Sequence, residues 1–171
     1  MIDKQGQNAY LNGKWLENQV EKTINHLGVC SAKYKDIEDS FVPSRREFGM
    51  LVKNAPYINM FGKNARGEFL LHLNEERSKR IECRYQEKAG TVEDKLPKLL
   101  GDCLCMEEDE VLIVIEGAGM SSKAKTWLRN EANAVTHKTI KVLSLGEFEE
   151  WAYDTIGPHL CDCASSMDLS I

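Results

Sequence analysis

Two short segments carry acids and a base at spacings that suit work on a phosphate. In RIECRYQ, side chains that alternate along a strand put Glu82, Arg84 and Gln86 on one face and Ile81, Cys83 and Tyr85 on the other. One face is apolar enough to bury, while the opposite face presents an acid, a base and an amide in a row. Upstream, in EFLLHL, Glu68, Leu70 and His72 alternate against Phe69, Leu71 and Leu73. Joined as a hairpin, the two segments set Glu68 beside Glu82 at the end where the strands splay. Two carboxylates side by side raise each other's pKa unless a cation sits between them. Oxygen-only ligands suit Mg²⁺ (or Mn²⁺), which keeps several waters and accepts phosphate oxygens as further ligands. A metal so held lowers the pKa of a bound water and polarises a phosphodiester. On spacing alone, the same glutamates read equally well as exposed strand residues paired with Arg66 and Arg84.

The elements that must position these groups follow from periodicity. Leu16, Val20, Ile24 and Leu27 recur at helical steps, so Gly13 to Leu27 reads as a helix with Gly28 as its C-terminal stop. Residues 30 to 56, broken by Pro43 and Pro56, read as loop or short helix. Tyr57 to Phe61 reads as a strand closed by Gly62 and the turn KNARG. Glu68 to Leu73 and Arg80 to Gln86 follow as the hairpin. A helix is expected from about Leu96 to Met106, because Pro97 is tolerated only in a first turn. VLIVI (111–115) is apolar on both faces and therefore a central, covered strand. Lys123 to Ala134 reads as a helix and Thr139 to Leu143 as a strand. Ser144 and Glu147 form a capping box for a last helix to about Tyr153. The expected class is α/β: a mixed central sheet flanked by helices, in the order α-β-β-β-α-β-α-β-α. One domain over 1–156 is expected, with an irregular tail over 157–171.

Composition narrows the classes. The chain has 171 residues, 42% hydrophobic and 29% charged, as in ordinary globular proteins. The longest apolar run is strand-sized, short of the ~20 residues a membrane span needs. MIDKQGQNAY has no apolar signal region, so no membrane partner and a cytoplasmic location are expected. The net charge of −5 argues against a generic polyanion binder but hides an uneven distribution. Ser44 to Arg84 holds nine Lys/Arg (45, 46, 53, 63, 66, 77, 79, 80, 84) against five acids, whereas Gly101 to Glu116 has six acids and no base. A basic middle facing phosphates is one reading; a solvated mixed surface is the other. In the first, Lys63, Arg66 and Lys88 are the candidate DNA contacts.

Taken together, an amphipathic first helix bearing a glutamate, then GEF, IECRYQ and AGTVEDKLP, resemble the PD-(D/E)xK nuclease superfamily, the restriction-endonuclease-like fold. The likeness is to small bacterial and phage nucleases with an "EFLL…IECKxQ…GSxxEKLP" pattern. It spans roughly Tyr10 to Trp151, taking in VLIVIEGAG, WLRNEA and LSLGEFEEWA. It implies an αβββαβ core with a C-terminal α-β-α extension, and metal-dependent endonuclease action on DNA, duplex or branched. By this resemblance Glu68 is the first catalytic acid and Glu82 the second, and the Cys83 carbonyl completes the metal's protein shell. Glu17 supports the metal through water, Gln86 holds the nucleophile or a phosphate, and Lys95 reaches a phosphate. Many such nucleases cut both strands as homodimers. The departure is Arg84, which stands where the motif has lysine. Guanidinium does not shed its proton at ordinary pH, so Arg84 can stabilise developing charge but not transfer protons, a task left to Lys88 or Lys95. The alternatives are a catalytically inactive DNA-binding copy of the fold, and a structural or partner-binding domain of a phage or bacterial system.

Weaker signals point elsewhere. Cys103-x-Cys105 and Cys161-x-Cys163, with His159, have zinc-ligand residue types, but the first pair would diverge on a helix. GAG after VLIVI lacks the spacing of a nucleotide-binding fingerprint. His26, His72, His137 and His159 have no nucleophile pattern around them; His72 shares the Glu68 face. Trp15, Trp127 and Trp151 read as core anchors.

Overall fold

The computed structural model describes residues 4–37, 49–73, 78–87 and 93–165. Helix α1 (Lys4–His26) precedes two strands, β1 (Cys30–Lys33) and β2 (Gly49–Lys53). A small hairpin of β3 (Pro56–Ile58) and β4 (Asn64–Arg66) leads into β5 (Phe69–Leu73) and β6 (Lys79–Tyr85). Then come α2 (Leu96–Cys105), β7 (Glu110–Glu116), α3 (Ser122–Ala134), β8 (Thr139–Leu143) and α4 (Leu145–Ser165). Six strands form one mixed sheet in the order β1-β2-β5-β6-β7-β8. β5 runs antiparallel to both of its neighbours, β2 and β6, while β1 pairs parallel with β2 and β6, β7 and β8 run parallel.

Each face of the sheet is covered by two helices. α1 and α4 lay Leu16, Val20, Ile24, Phe148, Ala152 and Ile156 on Phe69, Leu71, Ile81, Cys83, Leu112 and Val114. α2 and α3 lay Leu96, Leu99, Leu100, Cys103 and Leu128 on Val111, Ile113, Ile115, Ile140 and Val142. β7 is buried on both faces from Val111 to Ile115, as its unbroken apolar run requires. Gly28, at φ 80°, takes the left-handed turn that ends α1. Ser144 Oγ accepts from Glu147 N at 3.2 Å while Glu147 Oε2 accepts from Ser144 N at 2.6 Å, completing the expected capping box.

The sequence reading needs four corrections. Residues 30 to 56 are not loop or short helix throughout: β1 and β2 lie there, and β2 is a buried strand of the main sheet. Tyr57 to Phe61 is not a strand of that sheet. Only Pro56–Ile58 is extended, pairing with Asn64–Arg66 in a separate two-stranded hairpin. The residues from Gly157 on are not irregular as far as Ser165, because α4 continues through Pro158. Trp15 and Trp127 are exposed rather than core anchors, at 44% and 38%; Trp151 is half-buried and stacks on Phe148 with ring centroids 5.6 Å apart. The core order α-β-β-β-α-β is met by α1, β2, β5, β6, α2 and β7. Among the described residues, no helix is long and apolar enough to cross a membrane.

Candidate active site

The β5–β6 register fixes the two glutamates. Phe69 faces Ile81, Leu70 faces Arg80 and Leu71 faces Lys79. One step back, Glu68 falls opposite Glu82. Glu68 sits in the bend just before β5, held by Asn54 N donating to its carbonyl at 3.0 Å. Gly67 N donates to the Ala55 carbonyl at 2.9 Å, closing the neck of the β3–β4 hairpin directly upstream of the acid. Glycine is needed at 67 for space: a Cβ there would lie 2.5 Å from Glu82 Oε1.

Arg84 ties the site together. Its Nη1 donates to Glu68 Oε1 at 2.8 Å and to the Cys83 carbonyl at 2.6 Å, and its Nη2 to Glu82 Oε2 at 3.3 Å. These three oxygens belong to the three groups expected to hold a metal. The other two carboxylate oxygens, Glu68 Oε2 and Glu82 Oε1, are buried and have no hydrogen-bond partner. With both acids ionised these atoms are uncompensated; a proton or a cation supplies what is missing. Burial, and then the neighbouring Glu68 carboxylate, hold the Glu82 carboxyl well above the usual range. Burial pushes Glu68 the same way, but its contact with the Glu82 carboxyl and the charge of Arg84 outweigh it and bring Glu68 below its ordinary value. Burial and like charge thus oppose ionising both carboxyls at once. A hard divalent cation takes oxygen ligands of this kind, so the residues present fit one: Glu68 and Glu82, joined by the Cys83 carbonyl once Arg84 releases it.

The other expected site residues are distributed unevenly. Gln86 follows the strand, its N donating to the Glu116 carbonyl at 3.0 Å and its own carbonyl accepting from Gly119 N at 2.8 Å. That anchors it to the GAG turn, where Gly117 (φ 99°) packs against the Gln86 backbone. Glu17 lies on α1, on the sheet face opposite Glu82, paired with Lys14 at 2.7 Å and close enough to Cys83 to add to the upward push that burial gives that thiol. Lys95 is exposed in the single 3-10 turn before α2. Lys63 is exposed at the hairpin tip, and Arg66 Nη1 donates across the neck to the Asn54 carbonyl at 3.1 Å. Lys88 lies outside the described residues, as do Arg45, Arg46 and Arg77.

The basic middle of the sequence is not a continuous basic surface. Lys53 pairs with Glu21 at 2.6 Å, Lys79 with Glu110 at 3.3 Å, and Arg80 with Glu108 at 2.8 Å. Of the described bases in that stretch, Lys63 and Arg66 alone carry no ion pair with a described acid. The CxC motif diverges as expected: Cys103 is buried under α2 and Cys105 is exposed. Cys161, Cys163 and His159 lie where no side chain is described. His72 is engaged by Ser78, Nδ1 to Oγ 2.6 Å, four residues along from Glu68.

Three residues matter that sequence reasoning did not single out. Arg80, 3% exposed, bonds Glu108 through Nε and Nη2 (3.2 and 2.8 Å) and the carbonyls of Ala55 and Pro56 (3.2 and 3.3 Å). It shares the face of Glu82 and Arg84, and that alternation was the signal for it. Asp102, buried on α2, accepts from Met60 N at 3.1 Å, Lys98 Nζ at 2.5 Å and the Tyr57 hydroxyl at 3.4 Å. Tyr57 stands near enough to Glu82 that burial and then the Glu82 charge push its phenol up.

A PD-(D/E)XK nuclease superfamily domain matches residues 8–156. The chain belongs to that superfamily. Its six-stranded mixed sheet between four helices is the restriction-endonuclease-like arrangement, and membership carries a nuclease-type function, a nucleic-acid substrate in general and the divalent-metal use typical of the group. No curated protein sequence matches the chain.

Proposed function

We propose that this PD-(D/E)XK protein is a metal-dependent endonuclease that hydrolyses DNA phosphodiester bonds. The observation that carries the reading is the side-by-side placement of Glu68 and Glu82 with two buried oxygens left without partners. Glu68, Glu82 and the Cys83 carbonyl would hold Mg²⁺ or Mn²⁺, which supplies positive charge at the scissile phosphate and lowers the pKa of a water. Arg84 has one-third of its side chain exposed, so it can turn from the carboxylates toward a phosphate. There its fixed charge offsets the charge that builds on the phosphoryl oxygens, and proton transfer falls to another group. Lys63 and Arg66, on the hairpin that ends two residues before Glu68, would contact the DNA backbone. Gln86 and Lys95 complete the polar rim in this reading.

The test is incubation of supercoiled, linear and branched DNA with the protein, with and without Mg²⁺ or Mn²⁺. Metal-dependent nicking that disappears in Glu82→Gln supports the reading; wild-type protein inert with both metals on every form overturns it. A second reading is favoured by one observation, the hold of Arg84 on all three expected metal-binding groups: a nuclease fold retired to DNA binding. That form would bind DNA in a salt-sensitive way, leave it intact, and gain cleavage as Arg84→Lys.

A further inference from the structure

The β3–β4 hairpin gathers exposed apolar side chains into one patch. Ile58, Met60 and Phe61 are 50%, 44% and 63% exposed, and they are three of the eight exposed large hydrophobic side chains among the described residues. They fall within four consecutive positions. The tip is held in shape: Asn59 Oδ1 accepts from Phe61 N and Lys63 N, both at 3.0 Å, and Gly62, at φ 71°, donates to the Asn59 carbonyl at 2.8 Å. It is also held in place. Met60 N bonds Asp102 at 3.1 Å, and the Met60 side chain lies over Gly101, where a Cβ would come within 2.8 Å of its sulfur. An apolar tip fixed at both levels is a rigid projection rather than a loose loop.

The charges around it select the partner. Residues 54–67 contain Lys63 and Arg66 and no acid. Lys98 Nζ stands 5.8 Å from the Phe61 ring centroid, within cation–π range. An apolar tip that carries Lys63, with Lys98 beside it (paired with Asp102) and Arg66 at its neck, complements a polyanion that also offers flat apolar faces, which is the chemistry of a nucleobase next to its phosphates. Position points the same way, since the strand leaving the tip ends at Arg66 and the catalytic acid is Glu68.

We propose that the β3–β4 tip is a base-contacting wedge, with Phe61 at its apex, that seats against an unstacked base of the DNA beside the cleft. The proposal rests on the DNA-cleaving reading above and deepens it, because it makes DNA with unstacked bases, at junctions or splayed ends, the favoured substrate. Lys63 and Arg66 take the flanking phosphates while Phe61 stacks.

The experiment is fluorescence anisotropy in EDTA, where metal-dependent cleavage does not interfere. It compares a fully paired duplex with a splayed-arm junction of the same sequence carrying 2-aminopurine at the branch. Wild type should prefer the junction and change the 2-aminopurine signal. Phe61→Ser, at a 63% exposed position, should melt like wild type and lose about ten-fold in junction affinity, the scale of one base–aromatic stack. Its duplex affinity and salt slope should stay as they were, and Phe61→Trp should restore the preference. Tyr153→Ser, exposed on α4, serves as the control and should behave as wild type. Equal wild-type affinity for both DNA forms, or junction preference retained in Phe61→Ser, overturns the wedge and leaves the DNA reading standing. A wild-type dimer that dissociates in Phe61→Ser overturns it too, by showing that a second copy of the chain covers the tip. Wild-type protein that binds neither DNA at low salt overturns both.

Discussion

Arg84 Nη1 lies 2.8 Å from Glu68 Oε1, and with the same nitrogen it bonds the Cys83 carbonyl at 2.6 Å. The guanidinium therefore stands over the groups that the fold would use for a cation, and neutralises them in its absence. A lysine at 84 has one ammonium centre and would let go of one oxygen to reach another; the planar guanidinium holds several at once. In the proposed reaction Arg84 would thus be both a source of positive charge and a competitor for the metal's ligands.

Those two roles separate in one variant. Arg84→Ala should bind Mn²⁺ more tightly than wild type in a calorimetric titration, because its ligands are freed. It should nevertheless cleave at least about 10²-fold more slowly, the usual loss on removing one preorganised charge-stabilising donor. Arg84→Lys should keep or raise the wild-type rate. Weaker Mn²⁺ binding in Arg84→Ala would mean that the guanidinium builds the site rather than competing for it.

Glu82 offers a second separation, between stability and activity. Its carboxyl is 2% exposed and faces Glu68, so an uncharged amide there avoids the burial and like-charge cost of ionising it. Without metal, Glu82→Gln should melt at or above the wild-type temperature while losing metal-dependent cleavage. Gly67→Ala acts on the same side chain from outside: the added methyl collides with Glu82 Oε1, turns the carboxylate, and should lower Mn²⁺ affinity at least about ten-fold by the sensitivity of such sites to small displacements. A destabilised Glu82→Gln, or a Gly67→Ala with wild-type affinity, would contradict this picture.

The site was legible in the sequence where alternation and register decide it. Glu68 beside Glu82 follows from counting back along two strands, and VLIVI and TIKVL declare themselves by length and composition. β2 did not, because the first four residues of GMLVK are buried without alternation, and such a run has no period to read. YINMF misled in the opposite direction: it has strand-forming residues, but the sheet edge it would join is taken by β2 pairing with β5. α4 passes the stop signals Gly157 and Pro158, one residue after Ile156 is seated in the core. Glu17 and Arg80 show the limit for single side chains. Periodicity gives a residue's face; it does not reveal that Lys14 claims one and that Glu108 and two carbonyls bury the other.

Arg80 should be the most expensive charge to remove. Arg80→Met leaves the largely buried Glu108 carboxylate without its partner and strips donors from the Ala55 and Pro56 carbonyls at the hairpin neck. Breaking one side of a buried pair costs about 3–5 kcal/mol, which urea unfolding would show directly. Replacing both partners, as Arg80→Met with Glu108→Leu, should recover part of that loss. Additive losses in the double variant would show that the ion pair is not what holds the neck.

Glu110 makes stability depend on pH with a definite sign. Its carboxylate, on β7, bonds Lys141 of β8 at 2.7 Å and Lys79 of β6 at 3.3 Å, so it clamps three parallel strands. Partial burial pushes its pKa up, but the two ammonium groups outweigh that and bring it below the ordinary value. A group with a depressed folded-state pKa stabilises above its unfolded pKa, and that contribution is lost as the pH falls through the folded value. Lys141 is 42% exposed and screened by solvent, so the worth of the clamp is about 1 kcal/mol or less. Glu110→Gln should therefore lower urea-unfolding stability by that amount at pH 7, and the gap from wild type should shrink in acid, as the wild-type carboxylate is protonated. A gap that stays constant, or widens as the pH falls, would reverse the assigned direction and show that burial, not the two lysines, governs Glu110.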